Sequence, residues 1–257
     1  MAARRQQASS FLSPARPRLF AHRGLAVEAP ENTLLAFAAA IGIGARYVET
    51  DVHATSDGVA VVVHDPDLDR VAGRDVRVED FTLQQLREVD FGAGQSMPTL
   101  AEALNAFPET FFNIDIKSAA AAAPAATAIR DQDAVHRVLV TSFDERRRRD
   151  AVRRLPGVAS SASSQRLAVA LVAGKLGLVP VMRLALRGLV AVQVPEKAAG
   201  LRVTTRAMID RFHRAGVEVH VWTINDRARM RQLVDRGADG IVTDRIDLAI
   251  AEFGDPV

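Results

Sequence analysis

Cysteine is absent from the 257 residues. That excludes disulfides, a thiol nucleophile and cysteine-ligated zinc, and it fits a reducing compartment. Lysine occurs only at Lys117, Lys175 and Lys197, so arginine carries almost all the positive charge and Lys117 stands out. Aromatic residues make up 5%, with one Trp and one Tyr, and the net charge is only +2. No basic tail or aromatic-basic stripe offers nucleic acid a footing. Long apolar runs are missing too. The richest stretch, Leu167 to Val194, is broken by Gly174, Lys175, Gly177, Pro180, Arg183, Arg187 and Gly188, short of the roughly 20 apolar residues that a membrane span needs. At the N-terminus, Arg4-Arg5 is followed by no apolar segment. A secretory or twin-arginine signal is therefore excluded. Residues 1–17 read as a short disordered leader, and the protein as cytoplasmic.

Hydrophobic residues at 48% and charged residues at 25% suit a globular chain with a sizeable core. Apolar runs that read as strands alternate with helical patterns along the chain. The strands end near His22, Asp51, Lys117, Ser142, Ala162, Val194, Thr223 and Asp244. Eight βα units in about 250 residues predict a single TIM (β/α)8 barrel domain, with a doubly wound parallel sheet as the alternative. Residues 66–97 break the rhythm. They read as a small insertion or lid, with a short helix from Leu83 capped by Thr82 and Gln85. At about 30 residues the insertion is too small to bury a core of its own.

The most informative stretch is Tyr47 to Asp65. As a strand it alternates, with Val48, Thr50 and Val52 on one side and Tyr47, Glu49, Asp51 and His53 on the other. Ser56-Asp57-Gly58 then turns the chain back. A two-residue loop at Asp57-Gly58 would set His64 opposite Asp51, and a slip of one or two residues would set it opposite Glu49 instead.

The same alternation places Asn113, Asp115 and Lys117 inside the barrel, together with Glu218, His220, Trp222 and Gln193. Active sites of such barrels lie at the C-terminal strand ends, where His22, Arg23, Glu49, Asp51, His64, Asp115, Lys117, Gln193 and Trp222 collect. Glu49, Asp51 and Asp115 offer hard oxygen ligands for one divalent cation, Mg²⁺ or Ca²⁺. Arg23 and Lys117 suit phosphate oxygens. His22 and His64 are candidate general acid and base. The set points to metal-assisted phosphodiester chemistry. Plainer readings stand beside it. The charged residues could form a structural ion-pair network, and His64-Asp65 could be a turn-capping pair. Trp222 could be core filler as readily as a substrate platform. His53 and His220 read as pocket wall or core, His136 and His213 as surface positions, and Arg146 to Arg149 as a solvated helix face.

Taken in order, Ala21-His-Arg-Gly24, Pro30-Glu-Asn-Thr33, Glu49-Thr-Asp-Val52, Thr55-Ser-Asp-Gly58, His64-Asp65, Pro98-Thr-Leu100, Asn113-Ile-Asp-Ile-Lys117, Val221-Trp-Thr-Ile-Asn225 and Gly237-Ala-Asp-Gly-Ile-Val-Thr-Asp244 resemble the glycerophosphodiester phosphodiesterase family. The resemblance implies a distorted TIM barrel, with Glu49, Asp51 and Asp115 as metal ligands and His22 and His64 as the acid/base pair. Arg23 and Lys117 would be the phosphate contacts. Two departures are visible: Asp115 stands where the family usually has Glu, and Arg245 where it often has proline. The implied reaction is hydrolysis of a glycerophosphodiester to glycerol 3-phosphate and an alcohol. Two alternatives are a lysophospholipase D-type enzyme touching a membrane through the insertion and the Leu/Val-rich stretch at 167–192, which otherwise reads as a barrel-covering helix, and a catalytically silent binding protein.

Overall fold

A computed structural model describes residues 10–198 and 201–254. Eight parallel strands form its frame: β1 (Arg18–His22), β2 (Tyr47–Ala54), β3 (Phe111–Ile116), β4 (Val138–Thr141), β5 (Ala159–Ser160), β6 (Ala191–Pro195), β7 (Glu218–Trp222) and β8 (Gly240–Thr243). Hydrogen-bonded neighbours run β5-β4-β3-β2-β1-β8-β7-β6. The last seam, between β5 and β6, is closed by one bridge, Ser161 to Ala191, with Val190 N donating to Ser160 O and Ala162 N to Ala191 O. The result is a nearly closed TIM barrel. Among the described residues no helix is long and apolar enough to cross a membrane.

Strand alternation sorts the core as expected. Val48, Val52, Phe112, Ile114 and Ile116 pack outward under the helices on one side. Val192, Val194, Val217, Val219 and Val221 do the same on the other. The inward set at the N-terminal end is Phe20, Tyr47, Leu139, Ala159, Ala191 and Val242, and Phe11 packs among them. Phe11 is fully buried, edge-on to both Tyr47 and Phe111. The Tyr47 hydroxyl donates to Phe11 O at 2.8 Å. The buried Arg18 guanidinium donates to Leu12 O and Pro14 O and pairs with Glu218 at 2.7 Å. Residues 11–17 are therefore a plug in the barrel floor and not a disordered leader. An aromatic core open at one end leaves Tyr47 and Phe20 to be covered, and Phe11 covers them. The remainder of the expected leader, residues 1–9, lies outside the described residues.

The hairpin departs from the two-residue-loop register by one residue. Val52 faces Val62, His53 faces Val61 and Ala54 faces Ala60. The loop is Ser56-Asp57-Gly58, closed by Thr55 N donating to Val59 O, and Val63 N meets Asp51 O. Thr55 explains the longer loop. Its hydroxyl donates to Asp57 and accepts from Val59 N, which leaves three residues to turn at Gly58, where φ is +78°. His64 thus leaves the strand one residue past Asp51's partner.

The insertion carries a two-stranded ribbon (Asp67–Leu68 with Arg74–Arg77) and the helix Leu83–Arg87, which has the expected Thr82/Gln85 capping box. Its apolar residues Leu68, Val78, Leu86, Val89, Phe91 and Met97 pack on Val61 and Val63 of the hairpin. The insertion and the hairpin thus share one apolar cluster. One further expectation fails on the helix Glu145–Arg154. Arg148 is buried, not solvated, because it pairs with Glu145 and donates to Ser160 Oγ at 3.0 Å.

Replacing Phe11 with Ala should cost about 3–5 kcal/mol, as for other buried aromatic truncations. A urea titration reads this. A loss below about 1 kcal/mol would show that residues 11–17 do not seal the floor.

Candidate active site

All nine sequence-predicted residues line one cavity of about 440 Å³ at the C-terminal strand ends. Its polar side holds His22, Arg23, Glu49, Asp51, His64, Asn113, Asp115 and Lys117. Its apolar side is Phe143, Ala162, Leu167, Ala168, Leu171, Pro195, Ala198 and Trp222. None of the insertion residues 66–97 lines it, so the expected lid does not cover the site. The wall is completed instead by the chain after β4 and β5. Trp222 stands edge-on to Phe143, ring centres 5.9 Å apart.

Parallel pairing sets the acids. Asp51 lies beside Asp115 and Glu49 beside Asn113 across β2 and β3, and His22 lies beside Glu49 across β1 and β2. Lys117 Nζ sits between Asp51 Oδ1 at 2.9 Å and Asp115 Oδ2 at 2.8 Å. Asp51 Oδ2 receives Asn32 Nδ2 at 3.2 Å and lies 3.3 Å from Arg23 Nε. The loop that brings Arg23 there needs Gly24. A Cβ at Gly24 would meet Ala36 C at 2.6 Å, and its φ is +86°.

Electrostatics differ sharply along this row. Burial pushes Asp51 up, but Lys117 and Arg23 outweigh it and hold the carboxyl below its ordinary value. Burial raises Asp115 despite Lys117. For Glu49 the pull of His22 and Lys117 is too weak to offset burial. Burial, then the charge on Asp51, pushes it up to about 8. Glu49 Oε2, Asp115 Oδ1 and Asn113 Oδ1 are buried with no hydrogen-bond partner. Unpartnered buried oxygens of this kind are costly. Among the described residues no group of three His, Cys, Asp or Glu is already arranged around a common metal position. Lys117 stands between two of the expected ligands.

Each histidine has one ring nitrogen tied to a carboxylate. His22 Nδ1 is 2.5 Å from Asp244 Oδ1, and His64 Nδ1 is 2.7 Å from Asp65 Oδ1. Nε2 of each is left for the cavity, with His22 Nε2 3.8 Å from Glu49 Oε2. Asp244 is fixed by Asn225, which donates to its Oδ2 and accepts from its backbone N. Asp65 is fixed by Arg70, which also grips Glu31, and Glu31 holds Arg23. His53 stands behind His64, with Nε2 3.2 Å from the His64 carbonyl oxygen. His220 is core, as expected. Sequence reasoning named neither Asp244 nor Arg70 as a site residue. Asp244 had a signal, because closing the barrel puts the end of β8 beside the end of β1. Arg70 had none. Gln193 is brought in with its Nε2 unpartnered.

The profile of the glycerophosphoryl diester phosphodiesterase family matches residues 22–248. The chain belongs to that family. It is thereby a phosphoric diester hydrolase. It is 44% identical over 230 residues to a protein of Mycobacterium tuberculosis named a probable glycerophosphodiester phosphodiesterase, covering 89% of this chain and 87% of that one. It is 31% identical over 248 residues to a glycerophosphodiester phosphodiesterase of Caldanaerobacter subterraneus, covering 88% and 93%. A crystal structure of a glycerophosphodiester phosphodiesterase from Agrobacterium tumefaciens superposes with a TM-score of 0.76 at 24% identity, covering 91% and 98%, which extends the agreement in fold.

Burial lowers the pKa of His22, but the Asp244 bond and Glu49 more than offset it, so the net shift is upward from 6.5. The same bond holds Asp244 below 3.8. The pair's contribution to stability is thus present between those values. It is lost as pH rises through the raised value of His22 or falls through the lowered value of Asp244. Asp244→Asn should lower the NMR-titrated pKa of His22 and cut kcat by about 10²-fold. The stability difference from wild type should shrink at both pH extremes. An unmoved His22 titration would remove Asp244 from this role.

Proposed function

We propose that the chain hydrolyses a water-soluble glycerophosphodiester to glycerol 3-phosphate and an alcohol, with His22 and His64 as the proton-transfer pair. The observation that carries the reading is the matched anchoring of the two imidazoles, each by Nδ1 to a carboxylate, with both lining the cavity that holds the acidic row. Such anchoring fixes the tautomer and aims Nε2. One histidine takes the proton of the attacking oxygen as it bonds to phosphorus. The other gives a proton to the alcohol oxygen as its bond to phosphorus breaks. With water as the attacking oxygen, the products are the phosphomonoester and the free alcohol.

A divalent cation, Mg²⁺ or Ca²⁺, fits the donors present. Glu49, Asp51 and Asp115 would hold it through oxygens, of which two are buried without partners. Charge supports the same reading. With all three carboxylates ionised, as metal ligation requires, the row carries one negative charge more than Arg23 and Lys117 balance, which repels a phosphodiester monoanion. A bound dication would reverse that sign. When bound it would stabilise charge building on the phosphoryl oxygens. Lys117 spends two of its three N–H donors on Asp51 and Asp115 and keeps one for a phosphoryl oxygen. Arg23 is tied to Glu31 through NH1 and presents its remaining N–H groups. Gln193 and Trp222 line the same cavity and would orient the alcohol.

A second substrate reading rests on the apolar wall. Leu167, Leu171 and Phe143 would accept the acyl chain of a lysolipid. Comparing hydrolysis of glycerophosphocholine with that of a lysophospholipid decides between the two. The absence of cysteine supports a cytoplasmic setting.

His22→Ala and His64→Ala should each lower kcat by about 10²–10⁴-fold with the folded state retained by circular dichroism. Near-normal turnover in both would sink the assignment. For the metal, titration with Mg²⁺ or Ca²⁺ at pH 7 in buffers of different ionisation enthalpy should show proton release, because Glu49, with its raised pKa, must ionise to ligate. Glu49→Gln should abolish that release. Binding without proton release would mean that Glu49 is not a ligand.

A further inference from the structure

The helix Ser164–Lys175 and the helix Val179–Ala185 form a hairpin beside the cavity, joined at Leu176-Gly177-Leu178. The first helix has three distinct faces. Ala170, Ala173 and Gly174 are buried against the barrel. Ser164, Leu167, Ala168 and Leu171 line the cavity. Val169, Val172 and Leu176 point outward, exposed by 52%, 62% and 68%. The second helix repeats the pattern. Met182 is buried, while Val181 and Leu184 are exposed by 42% and 70%. The two outward stripes meet through Leu178 at the tip, itself exposed by 46%. Six of the ten large apolar residues that stand exposed among the described residues are in this one hairpin. Scattered exposed apolar side chains need no explanation, whereas a contiguous patch beside a functional cavity marks a contact surface.

Charge says what kind of contact. From Ala151 to Pro195 there is no Asp or Glu, while Arg153, Arg154, Arg166, Lys175, Arg183 and Arg187 contribute six positive charges. With a net charge of +2 for the whole chain, everything outside this segment is net negative. Lys175, Arg183 and Arg187 are exposed. None of these three is in a salt bridge among the described residues.

We propose that this helical hairpin docks on the surface of an anionic lipid bilayer. Val169, Val172, Leu176, Leu178, Val181 and Leu184 would enter the boundary of head groups and acyl chains, and Lys175, Arg183 and Arg187 would meet the lipid phosphates. An apolar stripe flanked by cations, too short and too interrupted to span, is the pattern of an interfacial helix. Because Leu167, Ala168 and Leu171 belong to the same helix, docking brings the cavity's apolar wall to the lipid surface. The inference is independent of the substrate reading, since a bilayer can hold the enzyme whether or not it supplies the substrate.

The test is co-sedimentation of the full chain with phosphatidylcholine vesicles, alone or with about a third phosphatidylglycerol. Salt dependence and light scattering without lipid complete it. Binding to the anionic vesicles should exceed binding to neutral ones by at least 10-fold and fall with salt. V172D/L176D/L184D should abolish binding while hydrolysis of glycerophosphocholine and thermal unfolding stay at wild-type levels. Exchange of Lys175, Arg183 and Arg187 for Ala should weaken it by about 10²-fold, at about 5-fold for each cation. No binding to either vesicle, or equal binding to both, would overturn the proposal. So would a dimer in solution that the three aspartates dissociate, since the hairpin would then be covered by a second copy of the chain.

Discussion

The ammonium of Lys117 between Asp51 and Asp115 is the contact on which the mouth of the barrel depends. Two buried carboxylates on neighbouring strands repel strongly in a low dielectric. One cation between them lets both strands present acid to the same volume. Arg23 reinforces Asp51 from the first strand's end. Glu49, one pleat lower, is helped by His22 and Lys117 too little to offset its burial and is the row's least settled charge. The site is therefore poised, with one carboxyl held ionised, one kept reluctant and a lysine that shares itself between two partners.

Around that row the fold supplies anchors of a different kind. Asp244 arrives from β8 and Asp65 from the chain just past the hairpin, so each imidazole is steered by a residue outside its own strand. The longest tether runs from His64 through Asp65 and Arg70 to Glu31 and Arg23. It links His64 to Arg23, the residue after His22, through ion pairs. Pairs as exposed as those of Arg70 add little stability singly, but a chain of them fixes direction.

Most of the barrel was legible because its periodicity is strict. Each inward residue on β2, β3, β6 and β7 followed from counting by two, and that counting brought Glu49, Asp51, Asp115, Lys117, Gln193 and Trp222 into one cavity. Contacts made by residues without a period were not legible. Phe11 lies in a stretch with no pattern, and only the empty barrel floor gives it a place. Arg148 looks like its arginine neighbours until Ser160 is beside it. The hairpin register turned on the Thr55 hydroxyl, a local bond that can override a turn preference. Arg70 could not be singled out, because nothing in sequence ties residue 70 to residue 31.

The shared packing of Val61 and Val63 with the insertion has a consequence for how such a chain can change over time. Surface excursions are usually the cheapest places to lengthen or trim a protein. Here the excursion buttresses the strand that carries the chain to His64, so shortening it would strip the backing from that imidazole. The family's tolerance for variation should then be uneven. The tip of the ribbon is free to drift, and the apolar residues that meet the two valines are pinned by an imidazole they never touch.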